Sequence, residues 1–197
     1  MTLPGLLWYN CLMKLFKFVV ALLTLLSVAS VFLPSAKAAG SASPIVVLDT
    51  VKGTIVIKLF PKDAPISSAN FVKLVNKKFY DGLTFHRITQ LDPGNPSKIV
   101  QGGDPNGDGS GGPGYTIKGE FTGNGVNNPL KHNAGAVAMA RTGDPNSAGS
   151  QFYICVNPVH FLDGNYAVFG YVIKGLDVAD KLVQGDKITK AYVESGD

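Results

Sequence analysis

From residue 45 onward the apolar positions of the chain fall into short runs whose spacing changes abruptly. "IVVLDT" (45–50) and "TIVIKLF" (54–60) place β-branched residues on either side of "VKG", which predicts a β-hairpin turning near Gly53. Over "DAPISSANFVKLVNKKFYDG" (63–82) the spacing becomes helical. Pro65 suits a first turn, Phe71, Leu74, Val75 and Phe79 can share one face, and Lys77 and Lys78 favour the helix end. Strands are predicted at "LTFHRI", "KIVQG", "AVAMA", "SQFYICV", "YAVFGYVI" and "ITKAYV", and a second short helix at "LDVADKLVQ" (176–184). The stretch 102–129 is rich in Gly, Pro and Asn, but Tyr115, Ile117 and Phe121 punctuate it, so it reads as a long ordered loop. No βαβ alternation and no internal repeat is present. Many short strands with two isolated helices predict a closed antiparallel β-barrel capped by helices.

The first forty residues follow different rules. Lys14 and Lys17 precede nineteen uncharged residues, Phe18 to Ala36, and Ala36 and Ala38 have the small-residue spacing read by a signal peptidase. Residues 1–38 therefore read as a secretory leader, with Met13 an alternative start, and 39–44 as a short linker. The competing reading is an uncleaved membrane anchor, since nineteen residues are long enough to just span a bilayer. The expected location is exported, periplasmic or extracellular; a tethered form and a thylakoid lumen remain as alternatives.

Charge and cysteine usage change with the leader. Lys14, Lys17 and Lys37 leave with it, so fifteen basic residues face fourteen acidic ones, a net +1, and the high pI of the whole chain is no argument for nucleic-acid binding. Cys11 lies in the leader and Cys155 in an apolar run, so the mature domain has no internal disulfide. No heptad pattern suggests more than a monomer.

Most catalytic chemistries lack candidates. "DPNGDGSG" from Asp104 opens like a calcium loop, but Tyr115 stands where the bidentate glutamate belongs. His86, His132 and His160 are far apart, with no short-range metal partner. Neither a G-x-S-x-G elbow nor a phosphate-binding loop occurs. No metal and no cofactor is expected.

What remains is a dispersed constellation: Phe85 and Arg87, Gln101 before two glycines, Met139-Ala140-Arg141, Gln151-Phe152-Tyr153, and Phe161-Leu162-Asp163-Gly164. Arg87 stands out, being one of only two arginines against sixteen lysines and lying in a strand-like run where a half-buried charge is costly unless paired. "FHRI", "QGGDP", "GGPGY", "EF", "LKHNAGAVAMAR", "GSQFYI" and "FLDGNYAVFG" together resemble, in order and spacing, the cyclophilin-type peptidyl-prolyl isomerases, from about Ile45 to Val193.

The resemblance implies an eight-stranded antiparallel barrel closed by two helices, with the domain over 45–194. It implies catalysis of cis/trans exchange at X-Pro bonds in proline-containing peptides and in unfolded or flexible protein segments. That reaction meets a barrier of about 18–20 kcal/mol because amide resonance must be lost. By the resemblance Arg87 is the catalytic arginine and Gln101 orients it or the substrate. Phe85, Ile99, Met139, Phe152 or Tyr153, Phe161, Leu162 and Tyr166 line or border the proline pocket. Ala140, the Arg141 backbone and Gln151 bind the substrate main chain, with the Arg141 side chain a solvated rim group.

Several positions depart from the family pattern. The segment between Ile88 and Gln101 is about six residues longer than usual. Lys98 falls where a pocket phenylalanine is expected, with Leu91 a candidate replacement for the missing ring. By the resemblance Tyr153 stands at the family's principal pocket phenylalanine, and its ring adds a hydroxyl that needs a partner. Phe161 and Tyr166 resemble the bacterial branch and imply only weak cyclosporin binding. The alternative is a peptide-binding or holdase module whose catalysis was lost through the altered loop.

Overall fold

In the computed structural model the described residues are 43–194; the expected leader over 1–38 and most of the linker lie outside them. Strands β1 (Ile45–Thr50) and β2 (Gly53–Leu59) form the predicted hairpin, with Thr50 opposite Gly53. The Thr50 hydroxyl donates to the Gly53 carbonyl at 2.7 Å and accepts the Lys52 N–H at 3.1 Å, and Gly53 takes φ +132°, a value that excludes a side chain at low cost.

Helix α1 (Pro65–Asn76) follows, with proline at its first position. It stops two residues before Lys78, whose φ of 56° breaks the helix, so Phe79 reaches the core from the turn rather than from the helix face. No side chain of its own caps the N-terminus. Buried Glu120, fifty-odd residues away, does so instead: its carboxylate accepts the Ile66 N–H at 2.8 Å and both the Ser67 N–H and hydroxyl at 2.7 Å.

The remaining elements are β3 (Arg87–Gln90), β4 (Lys98–Gly102), β5 (Ala136–Met139), β6 (Phe152–Cys155), β7 (Val168–Lys174), helix α2 (Leu176–Lys181) and β8 (Ile188–Glu194). All pairings are antiparallel in one curled sheet of order β3-β4-β6-β5-β7-β2-β1-β8. The run "LTFHRI" does not form one strand as expected. Its first half, with Gly82 before it, closes the sheet instead: Gly82 N–H donates to Ile188 O (2.7 Å), Phe85 N–H to Asp186 O (2.8 Å), and Ile188 N–H to Leu83 O (2.9 Å). Pairing on both sides of the seam leaves the barrel no long exposed edge there. Helix α2 is shorter than the predicted 176–184 because Leu182 turns extended.

Side chains sort by strand alternation onto two faces. The inner face holds Val46, Leu48, Ile55, Ile57, Val100, Val137, Met139, Phe152, Ile154 and Phe169, joined by Phe71 of α1. Phe71 touches three rings, those of Tyr80, Phe152 and Phe169, at centroid distances of 5.1–5.2 Å. The opposite face of β4, β5 and β6 carries Ile99, Ala136, Ala138, Tyr153 and Cys155, and is covered by the loops that contain Leu130, Val159 and Leu162. That second, smaller cluster is where the site forms. The 102–129 segment is ordered as predicted, tied by Tyr115 hydroxyl to Asn70 Oδ1 (2.7 Å) and by a bridge between Ile117 and Ala148.

Candidate active site

One row of cross-strand neighbours builds the site. Arg87 of β3 lies opposite Gln101 of β4, Gln101 opposite Tyr153 of β6, and Tyr153 opposite Ala138 of β5. Residues directly opposite in a sheet share a face, so this register alone sets Arg87, Gln101 and Tyr153 on one side of it. The two glycines after Gln101 let the strand pass close to its surroundings: a Cβ on Gly102 would come 3.0 Å from the Phe85 ring, and one on Gly103 (φ +84°) 2.4 Å from Ser150 O.

Arg87 is exposed rather than half-buried, so the desolvation cost inferred from its strand-like setting does not arise. Its hydrogen bond among the described residues runs from Nη1 to Gln101 Oε1 at a long 3.4 Å. Gln101 in turn donates through Nε2 to Gln151 Oε1 at 2.9 Å, and Gln151 Nε2 donates to the carbonyls of Gly109 and Gly111 at 2.8 and 2.9 Å. The two amides are thus fixed against the 102–129 loop, and the guanidinium keeps N–H donors for a ligand.

Beside Arg87 opens a cavity of about 190 Å³ walled by Leu91, Ile99, Ala140, Tyr153, Leu162 and Tyr166, with Gln101 and Arg141 at its margin. Leu91, the candidate replacement for the missing ring, is part of that wall. The long β3–β4 connection folds on itself, with Asp92 N–H donating to Ser97 Oγ (2.6 Å) and Gly94 N–H to Asp92 Oδ1 (2.9 Å), and so carries Leu91 to the cavity. Lys98 does not intrude. It points to α2, where Nζ meets the Asp180 carboxylate at 3.0 Å and also binds the Asp180 carbonyl. A second cavity of about 170 Å³ adjoins the first across Gln101, Ala140 and Arg141 and is lined by Gln151, Ser110, Thr142 and Ser147.

Four of the expected lining residues lie elsewhere. Phe85, Met139 and Phe152 are fully or almost fully buried on the inner face: Met139 and Phe152 are each one residue out of phase with the site row, and Phe85, which precedes β3, packs edge-on to Phe152. Of the pair left open by the sequence, Tyr153 is the pocket ring. Phe161 is 57% exposed, turned outward on the short 3-10 turn His160–Leu162 that turns Leu162 inward. Gln151 lines the second cavity rather than the first. The Arg141 side chain is not a loose rim group: Nε and Nη2 donate to Asn165 O at 3.1 and 2.8 Å, and the guanidinium lies 4.5 Å from the Tyr166 ring centroid. It clamps the loop bearing Tyr166 to the end of β5.

Sequence reading missed the groups beneath the pocket. Tyr153 hydroxyl lies 3.0 Å from His132 Nε2, and His132 Nδ1 lies 2.9 Å from Asp163 Oδ1. Burial lowers the His132 pKa against the pull of Asp163, and raises that of Tyr153 well above its usual value. Burial also works to raise the Asp163 carboxyl, but hydrogen bonds from the His132 backbone and ring outweigh it and leave the pKa lowered. Cys155, in the same cluster, is pushed up by burial to about 12 and has no thiolate character. "LKH" and "LDG" both lie in the quoted motifs, so the only available signal was that Tyr153 needed a buried partner.

Asp104, the start of the calcium-like run, accepts the N–H groups of Asn106 (2.9 Å) and Asp108 (3.1 Å), the geometry of a turn. Among the described residues no cluster of His, Cys, Asp or Glu is placed to hold a metal.

A curled eight-stranded antiparallel sheet with two helices, and an arginine beside a small cavity on its outer face with no activated nucleophile among the described residues of its lining, fit a non-covalent isomerase. The profile of the "Cyclophilin type peptidyl-prolyl cis-trans isomerase/CLD" family matches residues 45–195, and the chain belongs to that family. It is 46% identical over 140 residues to peptidyl-prolyl cis-trans isomerase B of Bacillus subtilis (strain 168), covering 71% of this chain and 90% of that one. It is 45% identical over 149 residues to a peptidyl-prolyl cis-trans isomerase of Synechococcus elongatus (75% and 94% covered). The crystal structure of a Cryptosporidium parvum cyclophilin-type isomerase superposes with a TM-score of 0.69 at 28% identity, covering 79% of this chain and all of that one. The same parasite protein crystallised with the dipeptide Ala-Pro gives 0.65 at 28% identity, with 77% and 99% covered. The protein is a peptidyl-prolyl cis-trans isomerase.

Proposed function

We propose that the protein accelerates X-Pro isomerisation in flexible segments of exported proteins, with the proline ring in the cavity of Leu91, Ile99, Tyr153 and Leu162 and Arg87 at the prolyl nitrogen. The observation that carries this reading is the exposed Arg87 guanidinium beside a cavity walled in part by Leu91, Ile99, Tyr153 and Leu162, with Gln101 as its hydrogen-bond neighbour. Twisting the X-Pro amide removes resonance and leaves a lone pair on nitrogen, to which a permanently charged planar donor can bond. No covalent bond forms or breaks. A donor that is engaged only in the twisted state lowers the barrier without tightening the ground state.

The adjoining cavity, with the Gln151 and Arg141 segments on its wall, suits the residues preceding the proline. The holdase alternative loses the feature that favoured it, since Lys98 is turned to Asp180 and Leu91 completes the wall. Export rests on the sequence of residues 1–38: the basic start, the uncharged run and the small-residue site before Ala39.

Expression of the full chain with a C-terminal tag, followed by fractionation and intact mass, tests the export reading. A mature species beginning at Ala39 outside the cytoplasmic membrane is expected. An intact chain in the cytoplasm overturns export, and an intact chain in the membrane fraction replaces it with the anchored reading. Refolding of a proline-limited exported protein with the purified domain tests the substrate class; an unaltered slow phase overturns it.

A further inference from the structure

The Tyr153 ring forms part of the cavity wall, and its hydroxyl ends a buried chain of three polar groups that runs away from the substrate side. Asp163 Oδ1 accepts both the His132 backbone N–H (2.8 Å) and the ring Nδ1–H (2.9 Å). A carboxylate can only accept, so Nδ1 carries the proton, and the neutral ring presents Nε2 as acceptor to the Tyr153 hydroxyl at 3.0 Å. His132 is wholly buried, Tyr153 is 3% exposed, and the two rings stack within 11° at 6.0 Å. Tyr166, itself lining the cavity, meets Tyr153 edge-on at 6.0 Å.

The circuit closes in only one protonation state. Once Nε2 is protonated it must donate, and the Tyr153 hydroxyl proton then has no acceptor in a site closed to water. The ring carrying it must shift or rotate, and that ring is a wall of the cavity. We infer that His132 is a positioning residue of the proline site, held by Asp163 and acting through Tyr153, and that its protonation weakens binding of X-Pro segments.

The charged and titratable groups around this circuit come from several segments. Asp163 favours the imidazolium; its other oxygen faces His160 Nδ1 at 3.3 Å and Lys131 Nζ at 4.0 Å, both exposed. Arg141, Tyr166 and Cys155 surround Tyr153. Tyr171 of β7 binds the Lys131 backbone through its hydroxyl. Burial is the strongest influence on His132 and favours the neutral ring, so the circuit is intact at neutral pH and opens on the acid side of the ordinary imidazole range.

The inference rests on reading this cavity as the proline site, and one experiment separates the two. The domain from Ala39 is titrated with an X-Pro peptide by NMR at pH 7.5 and pH 5.0, reading Kd, the exchange rate at saturation, and the imidazole nitrogens. At pH 7.5 the peptide must shift Leu91 and Leu162; if it does not, the cavity reading fails and the inference with it. The expected result is the Nδ1–H tautomer, a Kd that rises about fivefold or more at pH 5.0 in the wild type, and a saturated exchange rate that changes less than about twofold. In Tyr153→Phe, whatever its absolute affinity, the ratio of the two Kd values falls below about two. His132→Gln, which offers an amide oxygen that does not titrate, behaves likewise, and Tyr153→Phe decides the matter if His132→Gln does not fold. His160 is retained in both variants and so cannot account for a lost ratio. Binding at the cavity with a flat wild-type ratio, an Nε2–H tautomer, or a Tyr153→Phe variant that keeps the wild-type ratio overturns the inference alone.

Discussion

Replacing Arg87 by alanine is expected to separate catalysis from stability. The side chain is exposed, and among the described residues its one hydrogen bond is the 3.4 Å contact with Gln101. Losing so long a bond at the surface costs less than about 0.5 kcal/mol, or about 1–2 °C in Tm for a domain of this size. If the guanidinium donates to the prolyl nitrogen only in the twisted state, its loss removes one pre-positioned donor, worth about 2.7–4 kcal/mol, and kcat/KM falls about 100- to 1,000-fold. Arg87→Lys keeps the charge but not the planar fork and is expected to recover only part of the rate. The assay is protease-free NMR exchange on an X-Pro peptide, with Tm measured on the same samples. Exchange within about threefold of wild type in a folded Arg87→Ala variant would refute the assignment; a large drop in Tm would show that the side chain is structural.

Glu120→Ala removes the acceptor for two backbone N–H groups and one hydroxyl at the buried start of α1, so a loss of about 3 kcal/mol and about 6–12 °C in Tm is expected by calorimetry. Leu91→Ala should weaken peptide binding about fivefold, roughly 1 kcal/mol of apolar contact, while Lys98→Ala leaves both Kd and Tm nearly unchanged because its ion pair with Asp180 is solvent-accessible; equal effects would contradict the outward path of Lys98. With a pKa of about 12 and full burial, Cys155 should resist thiol reagents at pH 8 in the native state and react on unfolding. Burial holds both His86 and His132 below the ordinary imidazole value, against Asp104 and Asp163 respectively, so the unfolded chain takes up more protons than the folded one below about pH 6.5. Stability is therefore full above that pH and declines as pH falls, by at most about 1.4 kcal/mol per unit for each histidine; urea midpoints that rise on acidification would refute this.

The elements were legible because their signals are local. Pro65 at the start of a 3.6-residue pattern, the β-branched runs around "VKG", and the apolar residues punctuating the glycine-rich loop each carry their own evidence, and α1, the β1–β2 hairpin and the ordered 102–129 segment formed where expected. What failed was non-local. "LTFHRI" is apolar enough for one strand, but its first half meets residues 185–188 from the far end of the domain and only its second half pairs with β4. Glu120 is a surface-type residue in composition, yet it caps a helix more than fifty positions earlier.

The same distinction explains which site residues were misplaced. Arg87, Gln101, Tyr153 and Ala138 lie on one row, and every second residue along each strand leaves it. A motif such as "GSQFYI" fixes that an aromatic faces the pocket but not which one, because Phe152 and Tyr153 must point to opposite faces and both are aromatic. The choice follows from the partner strand: Gln101 is opposite Tyr153, so Tyr153 takes the pocket and Phe152 the core, where Phe71, Tyr80 and Phe85 surround it. Met139 goes inward with Phe152 for the same reason, being its opposite on β5. A one-residue slip of β6 would exchange the rings, place a hydroxyl in the aromatic core and leave His132 without its donor. The Tyr153–His132 bond therefore also opposes that slip, since only the native register satisfies both groups.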